Sequence, residues 1–338
     1  MKNEKRVTGK KQITNRMFYA LLFAICYLLF AAGGCNQKSG TDTIRVLLDW
    51  TPNTNHTGLY AALEMGWFAE EGLKIEITQP PEDEALALLA AGRAEFAFSF
   101  QESMGPAITG RDALPVQAVA AVISHNTSGV MSLAGSNIRR PADLQGKRFA
   151  SWETPLVTAV IRDIVENDGG DFRLVTMIPN FATDAFSALQ TDVDAIWIYY
   201  AWDGIAAEVN GVDINYLDLG SIDIKFDFYT PVLVSGIAWA AENPEKTRKF
   251  LRAASRGYSF AMENPAEAAA ILLKYAPELD AALVMRSQEY LKTRYQGDAQ
   301  RWGEIDPERW GGFYKWMFEQ DLLERDIGSG GFTNEYLP

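Results

Sequence analysis

Residues 43–60 read Thr-Ile-Arg-Val-Leu-Leu-Asp-Trp-Thr-Pro-Asn-Thr-Asn-His-Thr-Gly-Leu-Tyr. The first stretch, Thr43–Leu48, is short, apolar and rich in β-branched side chains, which predicts a buried strand. Polar residues follow from Asp49 to Thr57, and a helix is predicted over Gly58–Glu71. A strand, a loop and a helix in this order form the repeating unit of α/β proteins.

The same unit recurs in two series along the chain. The first series has further predicted strands at Lys74–Thr78, Glu95–Phe100 and Val116–Ile123, with helices at Glu82–Ala91 and Glu102–Thr109. The second series starts after Arg139, with predicted strands at Arg148–Ser151, Leu174–Ile178 and Ala195–Tyr199 and helices at Leu156–Asn167 and Thr183–Gln190. This alternation favours mostly parallel sheets covered by helices. Two series predict two α/β lobes.

The C-terminal third is predicted to be mainly helical from Asn243 onward. Its helix starts are expected at Asn243-Pro244, Asn264-Pro265 and Asp306-Pro307, because each combines a capping side chain with a proline in the first turn. No stretch near residues 130–140 or 225–235 has the composition of a flexible linker. Strands are therefore expected to join the lobes and to form a hinge that closes them over a ligand.

The N-terminus has the features of an export signal. Residues 1–16 hold six basic side chains and one acidic one, an apolar run extends from Met17 to Ala32, and Ala32-Gly33-Gly34-Cys35 follows. This order predicts a secretory signal over residues 1–34, and the small residues before Cys35 resemble a bacterial lipobox. The alternative is an uncleaved signal anchor. We expect Cys35 to carry the lipid, residues 35–43 to form a tether, and the protein to lie on the extracytoplasmic face of the cell membrane.

Charge and cysteine content exclude several classes of function. The chain has 31 basic and 44 acidic residues, and without residues 1–34 it keeps 25 and 43, a net charge of −18. Nucleic acids need a basic face, so they are not expected as partners. The only cysteines are Cys26 and Cys35, so no thiol nucleophile or metal cluster is expected after cleavage. We expect neither a metal nor a cofactor.

Candidate ligand-binding residues lie where predicted strands end, which is where open α/β sheets bind ligands. They are Trp50, Asn53, Asn55, His56 and Tyr60 after the first strand, and then Ser99, Gln101, Trp152, Glu153, Tyr199, Trp202 and Tyr229. Rings can stack on a flat ligand, and amides or carboxylates can bind its edge, so a planar, nitrogen-rich ligand is predicted. The alternative for the first group is a loop whose asparagines cap the helix. Roughly half of the aromatic residues are expected in the core, because neighbours along a strand face opposite ways.

Catalysis has little support in the sequence. Of the two histidines, His56 lacks an accompanying Gly-x-Ser-x-Gly motif, and His125 has no metal-ligand spacing. His125 is therefore predicted to be a structural hydrogen-bonding residue.

Several segments resemble one family of receptors. They are Asp49–Tyr60, Gly66–Leu73, Leu144–Lys147, Tyr199–Asp203 and Asn243–Lys246. Together they resemble the bacterial solute-binding lipoproteins for thiamine-pyrimidine precursors, the formylaminopyrimidine-binding, ThiY-type proteins of ABC importers. These are related to the fungal thiamine-pyrimidine synthase.

The resemblance implies a two-lobed α/β fold of the periplasmic-binding-protein type II, in which two strand crossings form the hinge. Lobe I would comprise residues 44–135 and 233–338, and lobe II residues 136–232. A formylaminopyrimidine or hydroxymethylpyrimidine would lie among the candidate residues of both lobes. The expected partners are an ABC permease and its ATPase, and the protein is expected to be monomeric.

Two alternatives stay open beside this interpretation. One is a receptor for another small aromatic or sulfonated solute. The other is a secreted pyrimidine enzyme. The fungal synthase carries a cysteine-rich cluster where this chain has Asp227–Pro231, which contains no cysteine, so the resemblance implies binding without catalysis.

Overall fold

The computed structural model describes residues 42–81, 84–151, 154–179, 185–191 and 193–338. Its strands are β1 Asp42–Leu47, β2 Leu73–Thr78, β3 Phe96–Ser99, β4 Val116–Ala121, β5 Ser128–Leu133, β6 Arg148–Ser151, β7 Thr176–Pro179, β8 Ala195–Tyr199, β9 Ile214–Asp218 and β10 Val232–Gly236. Its helices are α1 Thr57–Glu64, α2 Trp67–Glu70, α3 Ala85–Ala90, α4 Gln101–Thr109, α5 Pro155–Asn167, α6 Ala185–Thr191, α7 Ile205–Val209, α8 Leu219–Ile222, α9 Ile237–Glu242, α10 Pro244–Glu263, α11 Pro265–Tyr275, α12 Ala281–Leu291 and α13 Pro307–Glu319.

The strands form two five-stranded sheets. Sheet one has the order β2-β1-β3-β10-β4, and sheet two has the order β7-β6-β8-β5-β9. Neighbours such as β1 and β3, or β6 and β8, are parallel, as the alternation of strands and helices predicts. In each sheet one strand runs against its neighbours: β10 is antiparallel to β3 and β4, and β5 is antiparallel to β8 and β9. The sheets are therefore mixed, because the first strand after each crossing enters its sheet in the opposite direction.

The chain crosses between the sheets twice. It leaves sheet one after β4 and enters sheet two at β5, and it returns from the turn Ile224–Phe226 to β10. Strand β5, residues 128–133, thus lies in sheet two, although the predicted limit of 135 placed it in lobe I. The first crossing lies between Ala121 and Ser128, before the predicted limit of 135.

Two large apolar clusters hold the sheets and helices together. One spans both sheets and includes Phe149, Trp197 and the buried face of α13, where Trp310 and Trp316 lie. The other packs α1 and α10 on sheet one, where the rings of Phe96 and Phe250 stack at 3.9 Å. Helix α13 therefore contributes to a core that both sheets share.

Helix starts follow the proline positions, but the caps differ from the prediction. Helices α10, α11 and α13 begin at Pro244, Pro265 and Pro307. Asp306 accepts a hydrogen bond from the Arg309 amide at 2.7 Å and so caps α13 as expected. Asn243 does not cap α10. Its side-chain amide donates to the Trp239 carbonyl at 3.0 Å and so closes the preceding helix instead.

The predicted helix Gly58–Glu71 is two helices. Helix α1 ends at Glu64, Gly66 has a φ of 75°, and α2 begins at Trp67. Glycine adopts this left-handed conformation without a steric penalty, so it ends α1 and turns the chain.

Candidate functional site

The ends of β3 and β8 meet where the two sheets face each other. We call this surface the seam and define it by Asp49, Phe100, Glu102, Tyr199 and Thr230. Glu102 Oε1 accepts hydrogen bonds from the Tyr199 hydroxyl at 3.2 Å and from the Thr230 hydroxyl at 3.3 Å. The ring of Phe100 stacks on that of Tyr199 with centroids 6.3 Å apart. Residues from sheet one, from sheet two and from the second crossing therefore meet at one carboxylate.

Glu102 was not among the predicted site residues. Its second oxygen, Oε2, is buried and has no hydrogen-bond partner in the described part of the chain. Burial raises the pKa of Glu102 to about 7, although hydrogen bonds from Tyr199 and Thr230 oppose the rise. A buried carboxyl group with one unsatisfied oxygen is unusual, because buried polar groups are nearly always hydrogen-bonded.

His56 lies at the start of α1 and is fully buried. Its Nδ1 accepts a hydrogen bond from the Asn53 amide at 3.1 Å, which places the ring proton on Nε2. Nε2 then donates to Asp49 Oδ1 at 2.6 Å, and the ring packs edge-on against Phe98. Both ring nitrogens are engaged within the loop. Of the two roles that the sequence allows for His56, this geometry supports that of a helix-start residue.

Asn53 makes similar local bonds. Its Oδ1 accepts from the Asn55 amide at 2.8 Å, and its Nδ2 donates to the Thr51 carbonyl at 3.0 Å. These contacts fit the alternative stated for this loop, in which asparagine side chains cap the start of the helix. The half-buried side chains of Trp50 and Asn55, by contrast, make no hydrogen bond to any residue that the structure describes. They stay predicted ligand residues.

Gln101 and Tyr229 join the second crossing to α13. Gln101 Nε2 donates to the Trp310 carbonyl at 2.9 Å, and its Oε1 accepts from the Tyr229 amide at 2.9 Å. The Tyr229 hydroxyl accepts from the Asp306 amide at 2.8 Å, and the Arg309 guanidinium lies 3.9 Å from the centre of the Tyr229 ring. Because these bonds use both polar atoms of the Gln101 amide, its present contacts are structural. Ser99 is buried in β3, opposite Val232 of β10.

Trp202 and Tyr60 lie in a second contact, which joins the turn after β8 to the helices packed on sheet one. Trp202, in the π-helical turn Tyr200–Gly204, packs against a cluster that contains Tyr60 and Leu272. Burial raises the pKa of Tyr60 to about 12. The turn is fixed to α12, where the Ser287 hydroxyl donates to the Ala201 carbonyl.

A charged cluster spans the two crossings, and we call it the hinge cluster. It comprises His125, Asn126, Asp227 and Arg309. Asp227 Oδ2 lies 2.7 Å from His125 Nδ1 and 2.9 Å from Arg309 Nη1, and Oδ1 accepts from the Asn126 amide at 2.9 Å. The hydrogen bond to Asp227 raises the pKa of His125, although burial and the charge of Arg309 oppose this. The prediction that His125 is a structural hydrogen-bonding residue agrees with these contacts.

Three predicted residues cannot be placed. Trp152, Glu153 and Cys35 lie outside the described residues. Among the helices that the structure describes, none combines the length and apolar content needed to cross a membrane. The described residues also contain no group of three His, Cys, Asp or Glu side chains that could hold a metal ion.

Two surface depressions lie away from the seam. One, of about 300 Å³, is lined by Trp67 and Arg256, and another, of about 340 Å³, is lined by Met285 and Arg286. Both are shallow and open. We place the candidate site at the seam because buried polar groups of both sheets meet there. Among the residues that the structure describes, neither depression is lined by buried polar groups from both sheets.

Comparisons with known proteins identify relatives over most of the chain. A family model described as NMT1/THI5 like matches residues 53–268. The formylaminopyrimidine-binding protein of Halalkalibacterium halodurans is 32% identical over 324 residues, which cover 91% of this chain and 94% of that protein. The 4-amino-5-hydroxymethyl-2-methylpyrimidine phosphate synthase THI11 of Saccharomyces cerevisiae is 24% identical and covers 88% of each chain.

A solved structure has the same fold. The alkanesulfonate-binding protein SsuA from Xanthomonas axonopodis pv. citri, bound to MOPS, aligns with a TM-score of 0.65 at 15% identity, over 86% of this chain and 98% of that one. The predicted α/β fold of the periplasmic-binding-protein type, with two sheets and two crossings, is confirmed.

Proposed function

The chain belongs to the NMT1/THI5-like family, and from this premise we propose that it is the solute-binding protein of an ABC importer for a thiamine pyrimidine precursor. The ligand would be formylaminopyrimidine or hydroxymethylpyrimidine, held in the seam. The observation that carries the proposal is the meeting of Glu102, Tyr199 and Phe100 between the two sheets. The identity of 32% to a formylaminopyrimidine-binding protein supports the choice of ligand.

The chemistry of the seam suits a flat heterocycle. Tyr199 and Trp50 offer ring faces for stacking, and carboxylates offer acceptors for ring amines. We retain Trp152 and Glu153 as predicted ligand residues of sheet two, with Glu153 pairing with a ring amine and the adjacent ring nitrogen. The ligand would be buried when the sheets close about the two crossings.

The remaining parts of the proposal concern the cell. Cys35 would carry the lipid, residues 35–43 would tether the binding unit, and the protein would act as a monomer on the extracytoplasmic face of the membrane. The closed form would dock on the permease, and the ATPase would drive uptake. Mass spectrometry of the protein from membranes tests the anchor: a diacylated peptide that begins at Cys35 is expected, and an intact residue 34–35 bond would refute it.

The residues of the second crossing support a binding function rather than catalysis. The fungal relative is named as a synthase, and the resemblance places a cysteine-rich cluster of that enzyme at Asp227–Pro231 of this chain. Here Tyr229 in this segment is buried beneath Arg309 and contributes to the hinge. Residues 227–231 contain no cysteine that could act as a nucleophile.

Isothermal titration calorimetry tests the proposed function. Full-length protein in detergent is titrated with formylaminopyrimidine, hydroxymethylpyrimidine, thiamine, riboflavin and an alkanesulfonate. We expect saturable heat with at least one of the first two and weaker or no heat with the last two. Binding of riboflavin or the sulfonate alone would replace the pyrimidine proposal with the alternative receptor class. Heat with none of the five would overturn the assignment.

A further inference from the structure

One carboxyl oxygen of the seam, Glu102 Oε2, is buried without a hydrogen-bond partner in the described residues, whereas Oε1 of the same group accepts two hydrogen bonds. Six buried side-chain atoms of the described residues have no hydrogen-bond partner, and they include Glu102 Oε2 and Arg309 Nε. The Arg309 guanidinium is satisfied through its other nitrogens, which contact Asp227 and the Ser124 carbonyl. Glu102 Oε2 is therefore the one carboxyl oxygen among these six atoms. Burying a carboxyl oxygen without a hydrogen bond costs free energy, and a ligand that donates a hydrogen bond would remove this cost.

The orientation of the Glu102 carboxyl group is fixed from one side. Oε1 accepts from Tyr199 of sheet two and from Thr230 of the crossing, so these two donors hold the plane of the carboxyl group and leave its other oxygen position without a partner in the described residues. Glu102 also lies in the first turn of α4, directly after β3, at the edge where α/β sheets bind ligands. The stacked rings of Phe100 and Tyr199 lie beside it. The seam thus presents a flat apolar surface with one unsatisfied acceptor at its side.

We propose that Glu102 Oε2 accepts a hydrogen bond from an N–H group of the ligand and is, beside Glu153, a residue that selects an amino-substituted heterocycle. This inference rests on the proposed function of the seam as the binding site. A ligand with an exocyclic amine satisfies Oε2, whereas the same ring without the amine leaves the oxygen buried and unpaired. A site built to hydrogen-bond one group rejects analogues that lack it for this reason.

Proton linkage provides an independent consequence. Burial raises the pKa of Glu102 to about 7. An N–H donor favours the charged carboxylate and lowers this pKa, so binding releases a proton and the affinity rises from about pH 6 to about pH 8. The tyrosines around Glu102 do not titrate in this range, because burial keeps the pKa values of Tyr199 and Tyr314 well above 10.

The experiment compares two ligands and three proteins. Full-length wild type, Glu102→Gln and Glu267→Gln are titrated with 4-amino-5-hydroxymethyl-2-methylpyrimidine and with the same pyrimidine lacking the 4-amino group. Glu267 is a matched control, because it also lies in the first turn of a helix but is exposed. Wild type and the control should bind the amino ligand ~10- to 100-fold more tightly than its analogue, and Glu102→Gln should lose most of this preference.

The pH series decides the question even if the variant does not fold. The affinity of wild type for the amino ligand, corrected for protonation of the free ligand by that ligand's own titration, should rise between about pH 6 and 8. A corrected affinity that does not rise would overturn the inference. Equal binding of both ligands by wild type, or unchanged preference in Glu102→Gln, would overturn the inference and leave the proposed function standing. Failure of wild type to bind either ligand would overturn the inference, and it would overturn the proposed function as well only if formylaminopyrimidine also gives no heat.

Discussion

Replacing Asp227 with Asn removes one negative charge from the hinge cluster and keeps the shape of the side chain. Asp227 contacts His125 at 2.7 Å, Arg309 at 2.9 Å and the Asn126 amide at 2.9 Å. The side chain of Asp227 is 8% exposed and that of Arg309 is 16% exposed, so water can do little to replace the lost charge. The substitution therefore leaves Arg309 buried without its counter-charge.

The size of the effect follows from this burial. Removing one partner of a buried ion pair costs about 3–5 kcal/mol of unfolding free energy. Asn keeps a carbonyl acceptor for the Asn126 amide, so we expect the lower limit, about 3 kcal/mol. In domains of comparable size each kcal/mol lowers Tm by roughly 2–4 °C. The expected fall in Tm is therefore roughly 6–12 °C.

Guanidinium unfolding followed by tryptophan fluorescence measures this loss. The control is Asp298→Asn, because Asp298 also contacts His125, at 2.9 Å, but its side chain is 84% exposed. Its unfolding free energy should stay within about 0.5 kcal/mol of wild type. If Asp227→Asn is as stable as this control, the hinge cluster does not stabilise the crossings and the reasoning is refuted.

Gly257→Ala should destabilise the protein by about 3 kcal/mol or more, because the new Cβ would lie 1.9 Å from the Gly58 carbonyl oxygen where α1 and α10 cross. Gly312→Ala, at an exposed helical position with open space around it, should be neutral or slightly stabilising in the same guanidinium titration. Equal losses in the two variants would contradict the argument. The third prediction concerns pH. The hydrogen bond to Asp227 raises the pKa of His125 above its ordinary value of 6.5. Protonated His125 therefore contributes its whole stabilisation below pH 6.5, and this contribution is lost as the pH rises through the pKa of His125 in the folded protein. Wild type should therefore lose part of its stability advantage over His125→Gln as the pH rises above 6.5. An advantage that grows with pH would argue against the raised pKa.

The parallel βα units could be predicted closely from the sequence. Strands Arg148–Ser151 and Ala195–Tyr199 have the predicted bounds, because each is a short apolar run between polar residues. Strand β5 was not among the predicted strands. In the structure a Cβ at Gly129 would lie 2.4 Å from the Leu217 carbonyl oxygen, so the close approach of β9 requires glycine there. This contact joins residues 88 positions apart and leaves no local pattern.

The site could be predicted only in part. Residue type and position at strand ends identified the segments that meet at the seam, including Tyr199. They did not reveal which polar atoms the protein uses internally, as it does those of Asn53, His56 and Gln101. Glu102 was missed for the same reason, because its burial depends on Tyr199, 97 residues further along the chain.

The central claim is that the seam binds an amino-substituted pyrimidine, and a crystal structure of the protein grown with formylaminopyrimidine tests it most directly. We predict electron density for the pyrimidine ring beside Tyr199 and Trp50, with an N–H group within hydrogen-bond distance of Glu102 Oε2. A pyrimidine bound elsewhere on the protein, with Oε2 still unpaired, would contradict the claim.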